Sequence, residues 1–553
     1  MKRKLSLLLA LLLVLTMVPA VVSAEGFSDM PQNWSTEALT KAVENGLLTG
    51  YNGKLMPSES LTRAQMATII NRAFGAYVPG SLAGYVDVPV GKWYRDDMAK
   101  AVQMRTFRGD GLRMNPESPI TREEAFIVMA RAMKLEPSGV SPTGFTDLDL
   151  VSIWAKGEVY ALINAGYIKG SNGMINPKGS ITRAEFAQLM HNMIKNYVKT
   201  SGEYNIVGSG NVMVNVPGVT LKDLTVSGDL IVGEGVAEGD LILDNVDVTG
   251  RFVVRGGGVD SIIIKNDSTI GKVLVVTRYD DAVRVVFEDG TEADVIYVED
   301  GNDKVIIEGV VGTLVINTDV PVELVGATVD EIQVNAPNAE VAVDKDSVVE
   351  SVLVYKEAEG STITINGEAV SVVTAAPETT IKGKGTVEII EVMSTGSKTV
   401  IEVEAEKIVV DQDAEDVTLP EEPVLGGGGG GGGGGTPYVS PILTGASLNG
   451  VTAVISGDTI NVPFSFSATG SYTISAQFNK SVKILSVSVA GWDLIEPKVD
   501  VPTAYSNPVE ANIKHSITLD HFEAFGYDVT VVVTDGTTNL TFNITLNVQG
   551  YIE

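Results

Sequence analysis

The sequence predicts a multidomain chain: an α-helical region made of three repeats, then a parallel β-solenoid of the right-handed β-helix type, and a C-terminal β-sandwich. Three observations carry this. The segments Leu61-Thr62-Arg63-Ala64-Gln65, Ile120-Thr121-Arg122-Glu123-Glu124 and Ile181-Thr182-Arg183-Ala184-Glu185 stand at one fixed offset from Pro57, Pro116 and Pro177, and each Pro lies twenty-three residues after Trp34, Trp93 or Trp154. Spacing held over three units of about sixty residues is the mark of a repeat. From about Asn205 to Val410, short β-branched triplets recur with Gly, Asp, Asn and Glu between them and no helical period. After ten consecutive glycines, Gly426 to Gly435, the chain alternates apolar and polar residues at period two. The implied segments are 1–24, an export signal; 25–84, 85–144 and 145–200, the repeats; 201–425, the solenoid; 426–435, a linker; and 436–553, the sandwich.

Lys2-Arg3-Lys4 precedes an apolar run from Leu5 to about Val18, and Val22-Ser23-Ala24 supplies small residues for cleavage. This is the pattern of an export signal, too short and wrongly flanked for a membrane span. No other stretch has the continuous apolar length of a transmembrane helix, so no membrane span is expected after cleavage. With no Cys in the sequence, no disulfide, thiolate metal site or thiol nucleophile exists, and no lipid can be carried on sulfur. An exported chain without such an anchor must diffuse away or hold on non-covalently, and the repeats are the candidate grip.

Within each repeat, Thr62, Thr121 and Thr182 are expected to be N-caps, with Gln65, Glu124 and Glu185 completing capping boxes. Apolar residues follow at helical spacing, as in Met66, Ile69, Ile70, Ala73 and Phe74. Arg63, Arg122 and Arg183 are not explained by capping, because a cation in the first helical turn opposes the helix dipole. Beside free NH donors, a guanidinium there would make a site for an anion. Asp29, Asp87 and Asp147 read as turn or capping residues, and Gly50, Gly109 and Gly170 as backbone that approaches something closely or takes positive φ. Each Trp, placed ahead of a helix, is expected in the core.

The repeated unit resembles the S-layer homology (SLH) repeat of bacterial cell-surface proteins. The resemblance rests on the openings Phe27-Ser28-Asp29, Tyr85-Val86-Asp87 and Phe145-Thr146-Asp147, the Trp, the Gly-containing loop and the Thr-Arg-Ala-Glu-like segment, over residues 27 to 197. It implies one pseudo-threefold bundle that binds secondary cell wall polysaccharide, often pyruvylated and therefore anionic. It also implies that Arg63, Arg122 and Arg183 contact that polymer, that Trp34 and Trp154 line the sugar groove, and that Asp29, Asp147, Gly50 and Gly170 sit beside it. The second repeat departs: Arg105 replaces the Gly of its sisters (Gly46, Gly166), Leu112 replaces Gly53 and Gly173, and Glu123 replaces Ala. A carboxylate beside Arg122 would pair with it and repel an anion, which favours the first and third grooves.

The net charge of −30 argues against nucleic-acid and anionic-membrane partners, and it is uneven. Lys plus Arg against Asp plus Glu is 19 to 17 over residues 25–200 but 14 to 43 over 201–425. A near-neutral region in so acidic a chain is compatible with an anionic ligand.

In the middle segment, Leu230-Ile231-Val232, Leu241-Ile242-Leu243, Phe252-Val253-Val254 and Ile262-Ile263-Ile264 recur every ten or eleven residues. Strands this short and regular favour a solenoid over a two-sheet sandwich, with two or three triplets per rung. Carboxylates such as Asp280-Asp281, Glu288-Asp289, Glu299-Asp300, Asp303 and Asp411 are scattered along turns, and no EF-hand or calcium nonapeptide pattern occurs. Solvated turn charge is the expected role; no cofactor is implied, and calcium uptake stays open. His191, His515 and His521 form no ligand or triad spacing.

In the tail, Tyr527, Val529, Val531 and Val533, then Leu540, Phe542, Ile544 and Leu546, flank Asp535-Gly536, the pattern of a hairpin in an immunoglobulin-like or cadherin-like sandwich. The reading is therefore a secreted S-layer or S-layer-associated protein, not an enzyme, anchored to wall polysaccharide and open to self-association. The alternatives are a wall-anchored β-helix lyase or glycoside hydrolase, and an adhesin.

Overall fold

The computed structural model describes residues 26–420, except 260, 271–272, 278–281, 289, 302–303 and 412, and beyond them the backbone of strands between Leu443 and Leu546. The export signal, the polyglycine linker and the carboxylates Asp280, Asp281, Asp289 and Asp303 lie outside the described residues.

One compact unit takes in the chain up to Pro137, Thr143–Thr291 and Asp300–Val305. Each repeat contributes two helices, α1 (Thr36–Glu44) and α2 (Arg63–Phe74), α3 (Arg95–Gln103) and α4 (Arg122–Ala132), α5 (Lys156–Asn164) and α6 (Arg183–Met193), and they pack across repeats: α2 on α3, α4 on α5 and α6 on α1. All three expected capping boxes form: the Thr hydroxyl accepts from the NH of the third helical residue, and that residue's side chain accepts from the Thr NH. α2 ends on Gly75, whose φ of +70° closes the helix in a left-handed conformation. Ala38, Leu39, Ala42, Ile69, Ile70, Phe74, Phe126, Met129, Phe186 and Leu189 from all three repeats share one buried core.

The solenoid strands that follow are parallel. Asn196–Val198, Val212–Val214, Leu230–Val232, Phe252–Val254 and Leu274–Thr277 stack in one ladder, and Gly202–Tyr204, Val219–Val226, Leu241–Val248 and Ile262–Lys265 in another. The ladders differ in a way that the triplets alone do not reveal. Val212–Val214, Leu230–Val232 and Phe252–Val254 are buried at every position, whereas Leu241, Ile242 and Leu243 alternate buried, half-buried, buried. Strands buried on both faces need apolar residues throughout. The second face of the first ladder meets the helices: Met213, Ile231, Val253 and Val275 belong to the helical core.

A second compact unit contains Glu292–Glu299 and the chain from Ile306 onward. Here Thr328 pairs with Val348, Val348 with Glu368, Glu368 with Thr386 and Thr386 with Glu404, all in parallel, so one coil takes about 18 to 20 residues. The register skips one residue at Asp330, Glu350, Val370 and Glu388, which divides each coil into three short stretches, such as 340–343, 348–349 and 351–354. Inward columns run through the coils: Val329, Val349, Ala369 and Val387 in one, and Ile332, Val352, Val372 and Ile390 in another, all at most 3% exposed. Each Val or Ile of these columns contributes about 1.5–3 kcal/mol by leaving water.

Past residue 442, strand backbones form two five-stranded sheets, and Tyr527–Thr534 pairs antiparallel with Asn539–Leu546 as the alternation predicts. Among the described residues no helix is long and apolar enough to cross a membrane.

Candidate functional site: three junctions between repeats

The three Thr-Arg segments close into a ring. The NH of Leu61 donates to the carbonyl of Ile181, Ile181 to Ile120, and Ile120 to Leu61, at 2.9, 3.1 and 3.0 Å. At each junction the helix start of one repeat plugs into the Pro-containing turn of the next. Arg63 and Ala64 donate their NH groups to Ser118 and Pro116, Arg122 and Glu123 to Gly179 and Pro177, and Arg183 and Ala184 to Glu59 and Pro57. With the third NH taken by the capping Thr, the first-turn donors are consumed. The expectation of free NH groups beside the arginines is thereby overturned: carbonyls of the neighbouring repeat satisfy them.

The Arg side chains make the same crossing. Nε of Arg63 donates to Met114 O at 2.8 Å, Nε of Arg122 to Ile175 O at 2.6 Å, and Nε of Arg183 to Leu55 O at 2.7 Å. Arg63 and Arg183 also reach Arg108 O and Thr49 O. Each accepting loop is held from behind by the Asp of its own repeat: Asp29 accepts from Leu55 and Met56, Asp87 from Met114 and Asn115, and Asp147 from Ile175 and Asn176. The structure thus brings Asp29, Gly50 and Arg183 to one junction, Asp87, Gly109 and Arg63 to a second, and Asp147, Gly170 and Arg122 to the third.

Gly50, Gly109 and Gly170 are required by close approach. A Cβ on Gly50 would lie 2.0 Å from Cε1 of Phe27, one on Gly109 2.7 Å from Cε1 of Tyr85, and one on Gly170 2.6 Å from Cε1 of Phe145. The aromatic residue that opens each repeat therefore packs edge-on against the glycine of its own loop.

The junctions differ in charge. At two of them a glutamate serves twice: Glu124 caps Thr121 with Oε2 and pairs with Arg63 through Oε1 at 3.0 Å, and Glu185 caps Thr182 and pairs with Arg122 at 2.7 Å. At the third, the capping residue is Gln65, whose single acceptor oxygen already accepts from the Thr62 NH at 3.1 Å. Among the described residues Arg183 has no carboxylate within 4.0 Å of its guanidinium. Burial pushes the Arg183 pKa below the usual guanidinium range, with Arg72 adding to the shift and Asp29 opposing it. Burial acts to raise the Asp29 pKa, but the NH groups of Leu55 and Met56 outweigh it and hold the carboxyl below its ordinary value.

The tryptophans are not in the core. Trp34, Trp93 and Trp154 are 61%, 62% and 61% exposed, while the next residue in each case, Ser35, Tyr94 or Ala155, is at most 2% exposed. The helical phase that would carry Trp34 inward with Ala38 and Ala42 does not extend to it, because α1 begins at Thr36. Trp93 meets Tyr94 edge to face and borders a cleft of about 370 Å³ lined by Pro79, Gly80, Leu82, Lys92, Arg95 and Asp96.

In the second repeat, Arg105 holds the left-handed backbone of its sister glycines, with φ of +56° against +66° at Gly46 and +74° at Gly166. Glu123 does not pair with Arg122. It is 3% exposed and bonds to the NH and hydroxyl of Ser152 and to Lys178, as an anchor between the second and third repeats. Sequence reasoning missed this contact and the double role of Glu124 and Glu185. The available signal was the choice of Glu over Gln in two of three capping boxes, where either residue caps. No cluster of three or more metal-ligating side chains occurs among the described residues.

Three two-helix repeats interlocked head to tail in a ring, the second helix of each packed on the first helix of the next, and followed by a parallel solenoid, define a modular protein whose repeats form one body. The S-layer homology domain family matches residues 26–67 and 144–187, leaving out the divergent second repeat. A surface-layer 125 kDa protein of Lysinibacillus sphaericus is 32% identical over 192 residues, 33% of this chain and 16% of that protein. An S-layer protein of Bacillus anthracis is 27% identical over 286 residues, 49% of this chain and 32% of that one. An exoglucanase of Acetivibrio thermocellus is 28% identical over 175 residues, 31% and 16% of the two chains. The chain thus spans a third or less of the length of these relatives. It is an SLH-containing protein of the cell surface, secreted and associated with the cell wall.

Proposed function

We propose that the three-repeat ring holds the protein non-covalently to an anionic, pyruvylated secondary cell wall polysaccharide, and that the solenoid and a C-terminal β-sandwich built from the two downstream sheets are outward structural or interaction modules. The observation that carries this is the guanidinium of Arg183 at the junction of the third and first repeats, which among the described residues has no carboxylate within 4.0 Å. A fixed, pre-oriented cation with no carboxylate partner favours a ligand carboxylate. The exposed indoles of Trp34 and Trp154 supply flat apolar faces for sugar rings. Asp29, Asp147, Gly50 and Gly170 shape the loops, and Arg63 and Arg122 are weaker candidates because Glu124 and Glu185 already neutralise them. Occupation of more than one junction would add avidity.

The likeness to an exoglucanase spans 175 residues, close to the length of the three repeats, and so speaks for a shared anchor rather than for shared catalysis. The test is co-sedimentation of the mature chain with purified walls, native, stripped of secondary polysaccharide, or with pyruvyl groups removed. Binding that needs the polysaccharide and falls on loss of pyruvate supports the reading. Equal binding to all three walls refutes it.

A further inference from the structure

The last turns of the second helices of all three repeats are closed by side chains of the solenoid. Nδ2 of Asn215 donates to the Ala73 carbonyl of α2 at 3.1 Å, and Nδ2 of Asn211 to the Met193 carbonyl of α6 at 2.8 Å. At α4, Arg251 donates to the Lys134 and Met133 carbonyls and Arg255 to that of Ala132. Helix C-termini leave four carbonyls without partners, and cations and amides are suited to them. Each repeat thus presents at least one carbonyl of its last helical turn to the solenoid, which supplies a side-chain donor to it.

Arg255 is 0% exposed, pairs with Glu234 at 2.9 Å and lies 5.4 Å over the Phe74 ring. A buried guanidinium is tolerable only when paired and hydrogen-bonded, and here the partners come from both the repeats and the solenoid. Around this polar cluster Met213, Ile231, Val253 and Val275 complete the helical core. The backbones also touch: a Cβ on Gly75 would lie 2.6 Å from Cα of Gly235, and one on Gly235 would lie 2.2 Å from the Asn215 carbonyl oxygen. Glycine on both sides lets the helix end and the solenoid turn meet without side chains between them.

We propose that the first coils of the solenoid are the C-terminal cap of the repeat ring, so that ring and coils fold and open as one cooperative unit and the anchor has no swivel behind it. The inference is independent of what the repeats bind. It also means that a fragment ending near residue 200 exposes Met213-facing core and strips the caps from three helices.

The test is native-state hydrogen exchange on the mature chain, read by peptide. Peptides from α2, α4 and α6 and from Val212–Val214, Leu230–Val232 and Phe252–Val254 are expected to show the same opening equilibrium within about threefold, as members of one cooperative unit do. Asn215→Ala leaves the Ala73 carbonyl buried and unsatisfied and is expected to speed exchange about tenfold in both sets alike. Arg255→Met should do so more strongly, and Arg255→Met with Glu234→Leu should restore part of the protection. Acceleration confined to the helices or to the strands, or helices that open independently in the wild type, would overturn the proposal. Asn215→Ala is mild enough to be read even if Arg255→Met does not fold.

Discussion

Arg122 and Glu185 form a 2.7 Å ion pair across two repeats, and Glu185 uses its other oxygen to cap its own helix. The same arrangement joins Arg63 to Glu124, whereas the neutral Gln65 gives Arg183 no ion pair at its junction. Gln65→Glu would convert the third junction into a copy of the other two while preserving the capping box. A half-buried pair in a ready-made geometry is expected to leave stability unchanged or raise it by up to about 1 kcal/mol. Wall binding is expected to weaken at least several-fold, measured by co-sedimentation alongside thermal unfolding. A stable Gln65→Glu protein that binds walls as the wild type does would remove Arg183 from the proposed site.

The reciprocal change, Glu185→Gln, keeps the cap and releases Arg122. It is expected to raise affinity for the anionic polymer and to cost about 1 kcal/mol or less in stability. Binding isotherms at low and at high salt check it, because a gain due to an exposed cation shrinks as salt screens it.

Legibility in the sequence divided along chain separation. The capping boxes are local, three residues apart, and were readable in full, as were the parallel triplets of the solenoid and the need for glycine at Gly50. What Gly50 approaches was not readable, because Phe27 reaches it through tertiary packing. The head-to-tail crossing of the arginines joins residues 45 to 134 apart in sequence, and nothing local encodes it. The same crossing is why the free NH groups expected beside Arg63, Arg122 and Arg183 are absent: Ser118, Gly179 and Glu59 take them. The tryptophans lie two residues ahead of the first residue of their helices, where helical phase no longer places a side chain, and Ser35, Tyr94 and Ala155 occupy the buried position instead. Apolar content could not tell Leu230-Ile231-Val232, buried on both faces, from Leu241-Ile242-Leu243, buried on one.

Gly50→Ala and Gly170→Ala should differ in severity. Both place a methyl group against an aromatic edge, but Gly170 also has φ of +60°. Overpacking costs about 1–3 kcal/mol, and the left-handed backbone adds about 1 kcal/mol at Gly170. Phe27→Leu should recover part of the Gly50→Ala loss in a double-mutant cycle, whereas Phe145→Leu should recover less in Gly170→Ala. Chemical denaturation of the four variants and two doubles decides it.

Trp34→Ala and Trp154→Ala remove large side chains that the core does not use. Stability is expected to change by less than about 0.5 kcal/mol, as for other exposed sites. Wall affinity is expected to fall about tenfold or more for each if the indoles stack on sugar. Loss of stability without loss of binding would return these residues to a structural role.

His191, on α6, sits 3.5 Å from Glu37 of α1, with Lys41 of α1 and Lys195 also facing it. Burial lowers its pKa first, Lys195 and Lys41 act in the same direction, and Glu37 opposes them. The folded protein therefore binds the proton less readily than the unfolded chain. Its contribution to stability is complete above the ordinary imidazole value of about 6.5 and is lost as pH falls through the lower folded value. His191→Gln removes this dependence. The thermal midpoint of the wild type should fall more steeply than that of His191→Gln between pH 7 and 5, a window above the range in which Asp29 titrates. Parallel midpoint curves for the two proteins would show that the α1–α6 contact does not sense this proton.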